Sequence, residues 1–173
     1  MKPIRATETI RRDPFEGEHM NTTVEVTSEV KTCDRQVIAD GMRAFNAQYT
    51  SSANSTPLAV LVRRDGNVVG GFVGRTWVDW FSMEMLWLPD SMRGSGLGPE
   101  ILRLAETEAI RRGCLGAYLE TFSFQAPGLY ERLGYSIIAT IDDMPVGHKH
   151  LFFCKRYSPA AEFRPDIPTK NHV

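Results

Sequence analysis

Two kinds of hydrophobic pattern alternate along the first third of the chain. Over residues 23–30 apolar and polar side chains alternate, which is the period of a half-buried strand. From Val37 to Tyr49 apolar residues recur every three or four positions, which predicts a helix over 34–49 with Asp34 as its N-cap. Residues 50–57 are rich in Ser, Thr and Asn and end in proline, and they predict a loop.

Three strand-like runs follow this loop, over residues 58–64, 68–78 and 80–88. The first two are separated by Asp65, Gly66 and Asn67, and Asp-Gly supplies the positive φ angles of a tight hairpin. The spacing therefore predicts three sequential antiparallel strands.

The second half of the chain mixes helical and strand patterns. It predicts a helix from 97 to 112, a buried strand over 115–122, a short helix over 127–133 and a pair of strands over 135–141 and 150–157. The whole pattern predicts an α/β domain over 22–157, between an extended polar arm, 1–21, and an irregular proline-containing tail, 158–173.

Composition narrows the class of partner. The chain has 173 residues and 20 basic against 21 acidic side chains, so it carries no surplus charge that would attract nucleic acid or anionic lipid. Its three cysteines form no Cys-x-x-Cys pair, which favours reduced thiols over disulfides or a metal site. The first twenty residues lack the apolar stretch of an export signal. We therefore expect a cytoplasmic protein that binds no metal, nucleic acid or membrane.

A glycine-rich segment lies between the predicted strand 80–88 and the helix that follows, with the sequence Arg93-Gly94-Ser95-Gly96-Leu97-Gly98. Backbone N–H groups at a helix start form a site for phosphate oxygens, and glycines let a phosphate approach. A Walker A loop would end in Gly-Lys-Ser/Thr, and a dinucleotide-binding loop would read Gly-x-Gly-x-x-Gly; the segment fits neither. It predicts a phosphate-binding turn of another class.

The segment is similar to the Arg/Gln-x-x-Gly-x-Gly/Ala signature of the GNAT acetyltransferase superfamily, with Arg93, Gly96 and Gly98 in its three defining places. Residues 126–135, A-P-G-L-Y-E-R-L-G-Y, resemble the family's A-x-x-x-Y-E-x-x-G-F/Y stretch, and the order of elements over 23–157 is also the family's. The resemblance implies a mixed, mostly antiparallel central sheet flanked by helices, with a V-shaped split between the predicted fourth strand, 80–88, and the fifth.

The resemblance also implies where acetyl-CoA binds, with its pantetheine arm in the split and its pyrophosphate on the glycine-rich segment. Ser123 stands where many relatives have an asparagine, which leaves its contact with the cofactor in doubt. The implied cofactor-binding residues are Leu86, Trp87, Leu88, Arg93, Gly94, Ser95, Gly96, Leu97, Gly98, Ser123 and Tyr130.

Catalytic roles follow from the resemblance and from the chemistry of amide formation. Tyr130 matches the family tyrosine that protonates the departing thiolate as a general acid. A protonated amine must lose a proton before it attacks, and Glu84 is the first candidate base because relatives often place a histidine or glutamate there. Glu120 is the second candidate, and a water-exposed strand-end carboxylate is the alternative interpretation for either.

Four further residues are expected on the acceptor side, although core or hairpin packing is an alternative interpretation for their aromatic members: Phe124, Gln125, Trp77 and Trp80. We expect an N-acetyltransferase that moves an acetyl group from acetyl-CoA directly to an amine, and the lack of a basic surplus favours a small molecule. A non-catalytic acyl-CoA-binding regulatory module is the alternative, because it would keep the glycine signature without needing Tyr130 or Glu84. The oligomeric state stays open, with a homodimer as the assembly that relatives often form.

Overall fold

The structure is a computed structural model that describes residues 6–8, 23–50 and 55–157. Most of the predicted arm and the whole predicted tail, 158–173, lie outside the described residues. The chain divides into two compact units, Met1–Tyr49 and Thr50–Val173. The predicted domain boundaries at 22 and 157 stay predictions.

The first unit contains a short strand pair and a helix. Strand β1 (Ala6–Glu8) pairs antiparallel with β2 (Val24–Val26), and α1 (Thr32–Asn46) follows. The strand is shorter than the predicted 23–30. The prediction of Asp34 as N-cap was wrong, because the helix begins two residues earlier after Lys31. Asp34 instead lies in the first turn, where a negative charge is favourable against the helix dipole.

The second unit is built on a six-stranded sheet in the order β3-β4-β5-β6-β8-β7. Its elements are β3 (Thr56–Arg64), β4 (Asn67–Trp77), β5 (Trp80–Trp87), α2 (Leu97–Arg111), β6 (Gly116–Phe122), α3 (Pro127–Arg132), β7 (Ser136–Asp142) and β8 (Lys149–Arg156). Neighbouring strands run antiparallel except β5 and β6, which are parallel. The predicted mixed, mostly antiparallel sheet is confirmed; the predicted fourth and fifth strands are β5 and β6.

The tight turn between β3 and β4 is the one that the sequence predicts. Arg64 pairs with Asn67, and the two residues between them have positive φ angles, 51° at Asp65 and 79° at Gly66. This is the backbone that a two-residue hairpin turn requires, and it fixes the register of the two strands.

The core lies between one face of the sheet and α2. The side chains most completely buried come from β4, β5, β8 and α2: Phe72, Phe81, Phe153, Ile101 and Leu102. Along β6 the burial alternates, with Ala117, Leu119 and Thr121 buried and Tyr118 and Glu120 exposed. Because successive side chains of a strand point to opposite faces, Glu120 lies on the face opposite the α2 core.

The parallel pair opens part-way along its length. Backbone pairing of β5 with β6 runs from Trp80↔Gly116 to Met83↔Leu119 and ends there, although β5 continues to Trp87 and β6 to Phe122. The opening coincides with a bulge, because Val73 pairs with Met85 and Gly74 with Met83, which leaves Glu84 as the extra residue of β5. The predicted V-shaped split is therefore confirmed.

Glycine at position 74 lets the bulged strand lie close to its neighbour. A Cβ atom there would lie 2.4 Å from the carbonyl oxygen of Ser82 and 2.8 Å from the ring of Phe72. Any side chain would push β4 and β5 apart at the point where the split begins.

Within the described residues, no helix is both long enough and apolar enough to span a bilayer.

Candidate active site

The glycine-rich loop leads from the end of β5 into the start of α2. A 3₁₀ turn, Asp90–Met92, precedes it, and Gly94 and Gly96 both have positive φ angles, 72° and 85°. Gly96 is the N-cap of α2, and within the described residues no side chain caps this helix start. Adjoining residues aside, no atom of the described part of the chain lies within 4 Å of where a Cβ would be on either glycine. The first N–H groups of α2 are thus accessible to an anion.

Two side chains of the loop are used to hold it in shape. The Nε of Arg93 donates to the carbonyl oxygen of Leu88 at 2.9 Å, and its Nη1 lies 2.8 Å from Oδ1 of Asp90. The hydroxyl of Ser95 donates to the carbonyl oxygen of Met92 at 2.8 Å. The loop is therefore anchored to the end of β5, and the backbone is left as its main donor of hydrogen bonds.

A cavity at the split brings together the predicted catalytic residues. Its lining combines carboxylates, a tyrosine and apolar side chains from β4, β5, β6, α2 and α3: Phe72, Met83, Glu84, Met85, Leu86, Leu102, Leu119, Glu120 and Tyr130. Tyr130 and both base candidates, far apart in sequence, are thus neighbours in the fold. Trp87 is exposed beside this cavity, whereas Leu88 is buried in the core.

Tyr130 lies on α3 against the aromatic rings of Tyr135 and Phe153, at centroid distances of 6.2 and 5.8 Å. Burial raises the pKa of Tyr130 above its ordinary value, because the buried phenolate would lose its hydration. The hydroxyl therefore keeps its proton at neutral pH, which is the state in which it can act as an acid.

The two candidate bases have different partners. Glu84 forms an ion pair with Arg75, with 2.8 Å between Oε1 and Nη1. The side chain of Glu120 is 64% exposed, and its Oε2 lies 3.6 Å from Nε2 of His150. One oxygen of Glu84 is thus already occupied by a guanidinium, whereas Glu120 is next to a histidine.

Ser123 and Gln125 stabilise the turn that follows β6. The hydroxyl oxygen of Ser123 accepts a hydrogen bond from the backbone N–H of Lys149 at 3.0 Å. The Oε1 of Gln125 accepts from the hydroxyl of Thr121 at 2.6 Å and from the N–H of Phe122 at 2.9 Å. Both side chains therefore have a structural role in this turn.

The predicted acceptor-side aromatics fall into two places. Phe124, 54% exposed, stacks on Phe122 with parallel rings 5.2 Å apart, close to Glu120 at the end of β6. Trp77 and Trp80 flank the β4–β5 hairpin, where the Arg156 guanidinium lies over the Trp80 ring. The structure does not bring these two tryptophans to the split.

A second cavity lies by this hairpin, lined by Thr56, Thr76, Trp77, Asp79, Glu108, Arg111, Arg112 and Cys114. Its charges are matched internally, because hydrogen bonds from Arg111 and Arg112 lower the pKa of Glu108 to about 2. Burial, with the nearby charge of Asp79, raises the pKa of the Cys114 thiol, which disfavours the reactive thiolate. The thiol of this cavity is therefore not activated, and its Glu108 carboxylate is bonded to two arginines. Over the described residues, no group of three or more His, Cys, Asp or Glu side chains is arranged to hold a metal ion.

Comparison with known proteins identifies the family. The family model described as "Acetyltransferase (GNAT) family" matches residues 23–135, well over half of the chain. The chain belongs to this family. It is 34% identical over 134 residues to "Acetyltransferase Atu2258" of Agrobacterium fabrum, a match that covers 76% of this chain and 98% of that protein. The GNAT chain is therefore an acetyltransferase.

Two further matches agree with this assignment. A blasticidin-S acetyltransferase of Streptomyces morookaense is 42% identical over 83 residues, which cover 47% of this chain and 61% of that protein. A solved structure from Agrobacterium tumefaciens, described as a putative acetyltransferase, is 32% identical and superposes with a TM-score of 0.72 over 76% of this chain and 97% of its own. The match to the blasticidin-S acetyltransferase covers only part of that protein.

One residue at the site is absent from the sequence-based candidates. His150 lies thirty positions from Glu120 and no motif marks it; only the register of β6 against β8 brings the two together. A histidine close in sequence to a candidate carboxylate is a local signal, whereas the contact of His150 with Glu120 depends on tertiary structure.

Proposed function

We propose that this protein transfers an acetyl group from acetyl-CoA directly to the amine of a small molecule. The observation that carries the proposal is the cavity at the split, in which Tyr130 and two carboxylates meet beside the unpaired edge of β5. A glycine-rich helix start that can hold phosphates lies a few residues beyond that edge.

The described residues fit acetyl-CoA at both ends of the site. The N–H groups at the start of α2 would hold the pyrophosphate, and the edge of β5 beyond Met83 has backbone groups that would pair with the amides of the pantetheine arm. When bound, acetyl-CoA supplies the thioester that is the acetyl donor. A backbone N–H of β5 near Leu86 would polarise its carbonyl, a contribution that needs a preorganised donor rather than a particular side chain.

The side chains at the split divide the proton transfers between them. Tyr130, kept protonated by burial, donates its proton to the departing thiolate. Glu84 or Glu120 accepts the proton that the amine must lose before it attacks. Since attack is direct, no nucleophilic side chain is required, in line with the unreactive thiol of Cys114.

Two observations support a small amine as acceptor. The two carboxylates at the cavity attract a protonated amine, and the chain has no basic surplus for nucleic acid or for proteins bound to it. The relative from Streptomyces morookaense is named for acetylating blasticidin-S, which supports an acceptor of similar size.

The proposal is tested with the purified chain in two assays. In a melting scan, acetyl-CoA at about 100 times its dissociation constant stabilises the folded protein by about 2.7 kcal/mol. A panel of small amines is then screened for release of free thiol from acetyl-CoA, with reactions that lack the protein or the amine as blanks. A thermal shift without turnover on any amine would indicate the binding module instead, and no thermal shift would exclude both functions.

A further inference from the structure

His150 is held in a fixed position next to the split. On β8 it pairs with Phe122 of β6 and with Ile141 of β7. Its imidazole lies between two phenyl rings, 4.6 Å from the centroid of Phe122 and 4.7 Å from that of Phe152. Rings on two sides leave the imidazole little freedom to rotate, so its nitrogens have defined directions.

The imidazole is buried but incompletely bonded. Its side chain is 9% exposed, and its Nδ1 has no hydrogen-bond partner among the described residues. Buried polar atoms in folded proteins are nearly always paired, so this nitrogen needs a partner that the described residues do not supply. The other nitrogen, Nε2, faces Oε2 of Glu120 at 3.6 Å, within range of an ion pair.

The charged groups around His150 leave Glu120 as its partner. From β6 the charged side chain that faces it is Glu120, and across β7 its direct neighbour is the apolar Ile141. The adjacent charged residues on β7 and β8 form an ion pair with each other, in which Nζ of Lys149 lies 2.9 Å from Oδ1 of Asp142. Within the described residues, His150 is therefore electrostatically coupled to one carboxylate, at the cavity that also contains Tyr130.

We propose that His150 is a positioning residue that acts through Glu120, so that the two form one proton-accepting pair for the acceptor amine. This inference rests on the proposed acetyl transfer. Glu120 is exposed enough to contact a substrate, whereas His150 is buried behind it; Glu84, the first candidate from sequence, is already held by Arg75. Nε2 of His150 lies within ion-pair range of the Glu120 carboxylate, and the neighbouring phenyl rings hold the imidazole in that place.

The proton balance of the proposed step is complete. One N–H bond of the ammonium group breaks, its proton moves to the Glu120 carboxylate that His150 positions, and the freed lone pair of the amine attacks the thioester carbonyl. The C–N bond forms, the C–S bond breaks, and the Tyr130 hydroxyl gives its proton to the leaving thiolate. The second proton lost by the nitrogen replaces the one given by Tyr130, so one proton is released to water overall.

The test compares His150→Phe with the matched control His148→Phe. Phenylalanine keeps a ring between Phe122 and Phe152 but removes both nitrogens, and His148 is an exposed histidine two residues away. For an amine found to turn over, we expect His150→Phe to lower kcat at least tenfold and to change the pH profile, without changing KM for acetyl-CoA. His148→Phe should stay within about twofold of the unmodified protein. Adding His150→Phe to Glu120→Gln should cause little further loss, because both act on one proton.

Losses that multiply in the double variant, or an unchanged pH profile in His150→Phe, would overturn the proposal. Should His150→Phe fold poorly in a melting scan, His150→Gln replaces it with the same expectations. A readout without turnover uses NMR of the imidazole C–H resonances of His150 at one fixed pH, which should move on Glu120→Gln. Unchanged resonances would overturn the pair even if acetyl transfer is real. Absent turnover in the unmodified protein would count against the proposed function, whatever the spectrum shows.

Discussion

The two ends of the β5–β6 pair differ in how completely their polar groups are satisfied. At the closed end, Trp80–Met83 pair with Gly116–Leu119, and nearby charges such as Glu108 are bonded to arginines. At the split end β5 and β6 no longer pair. There the neighbour of Glu120 is a buried histidine rather than an arginine, with 3.6 Å between Oε2 of Glu120 and Nε2 of His150. The proposed catalytic residues thus lie at the end of the sheet where β5 and β6 make no backbone hydrogen bonds to each other.

Helix α2 repeats the contrast along its length. Each end has a glycine with a positive φ angle, 85° at Gly96 and 86° at Gly113. Among the described residues other than its own neighbours, neither has an atom within 4 Å of its Cβ position. Gly96 lies at the start of the helix, a few residues after the split end of β5, whereas Gly113 follows its last turn, a few residues before the closed end of β6. The same backbone conformation thus occurs once at the proposed cofactor site and once away from it.

The largest expected effect is on turnover, which should fall for a change at the split end of the β5–β6 pair and stay for a change at its closed end. Tyr130→Phe removes the proposed acid at the split and should lower kcat by about 10²–10⁴-fold. Tyr118→Phe is the matched control, since Tyr118 pairs with Ser82 in the closed part of β6. Thiol release from acetyl-CoA measures both variants, and the acetyl-CoA thermal shift should survive in each. Equal turnover in Tyr130→Phe and the parent would remove Tyr130 from the mechanism.

A second comparison concerns stability and sets Glu106 against Glu108 on α2. Glu106 is 10% exposed and accepts hydrogen bonds from Lys155 Nζ at 3.0 and 2.8 Å and from the Tyr135 hydroxyl at 2.5 Å. Glu106→Leu leaves Lys155 without its carboxylate and should cost about 3 kcal/mol in urea unfolding. Glu108→Leu should cost less, because the Glu108 side chain is 32% exposed and water screens its ion pairs more than those of Glu106. A similar loss in both variants would contradict a special role for the buried group.

The glycine pair gives a third test. Gly96→Ala and Gly113→Ala should each destabilise the fold by about 1–2 kcal/mol, the cost of a left-handed backbone at a residue with a side chain. Only Gly96→Ala should also weaken the acetyl-CoA thermal shift, because its methyl group would stand in the phosphate-binding loop. If both variants lose the shift equally, the loss reflects general destabilisation and the loop assignment is wrong.

The smallest expected effect is a pH dependence of stability that arises from two tyrosines, Tyr135 and Tyr157. Burial raises the pKa of Tyr135 and of Tyr157 above the ordinary tyrosine value of about 10. The unfolded chain therefore ionises these groups first, so their stabilisation is complete below about pH 10 and is lost as the pH rises further. Melting temperatures should fall above pH 10, and Tyr157→Phe should reduce that slope. An unchanged slope in Tyr157→Phe would locate the alkaline loss elsewhere.

Most of the sheet was predictable because its signals are local. The Asp65-Gly66 turn sets the β3–β4 register, and α2 follows from the spacing of its apolar residues and the glycine at each end. Strand β1 was missed because three residues carry no measurable period, and β2 was predicted too long. Local patterns thus predict the longer elements, but a strand of three residues is too short to show a period.

The site was predictable in outline but not in its contacts. Two motifs placed Tyr130 and the glycine loop, and strand position placed Glu84 and Glu120 at the split. The ion pair of Glu84 with Arg75 depends on a bulge, which has no sequence signal of its own. Partners of this kind are set by the register between paired strands, so only the folded chain reveals them.

The split has a consequence for the empty protein that is separate from catalysis. Beyond Met83 and Leu119 two backbone edges face each other without partners, and unpaired edges can recruit strands from other chains and cause aggregation. Inward-pointing charges are a common protection against such additions, and Glu84 and Glu120 are placed at this opening. We therefore expect these two carboxylates also to disfavour the addition of a strand from another chain at this opening.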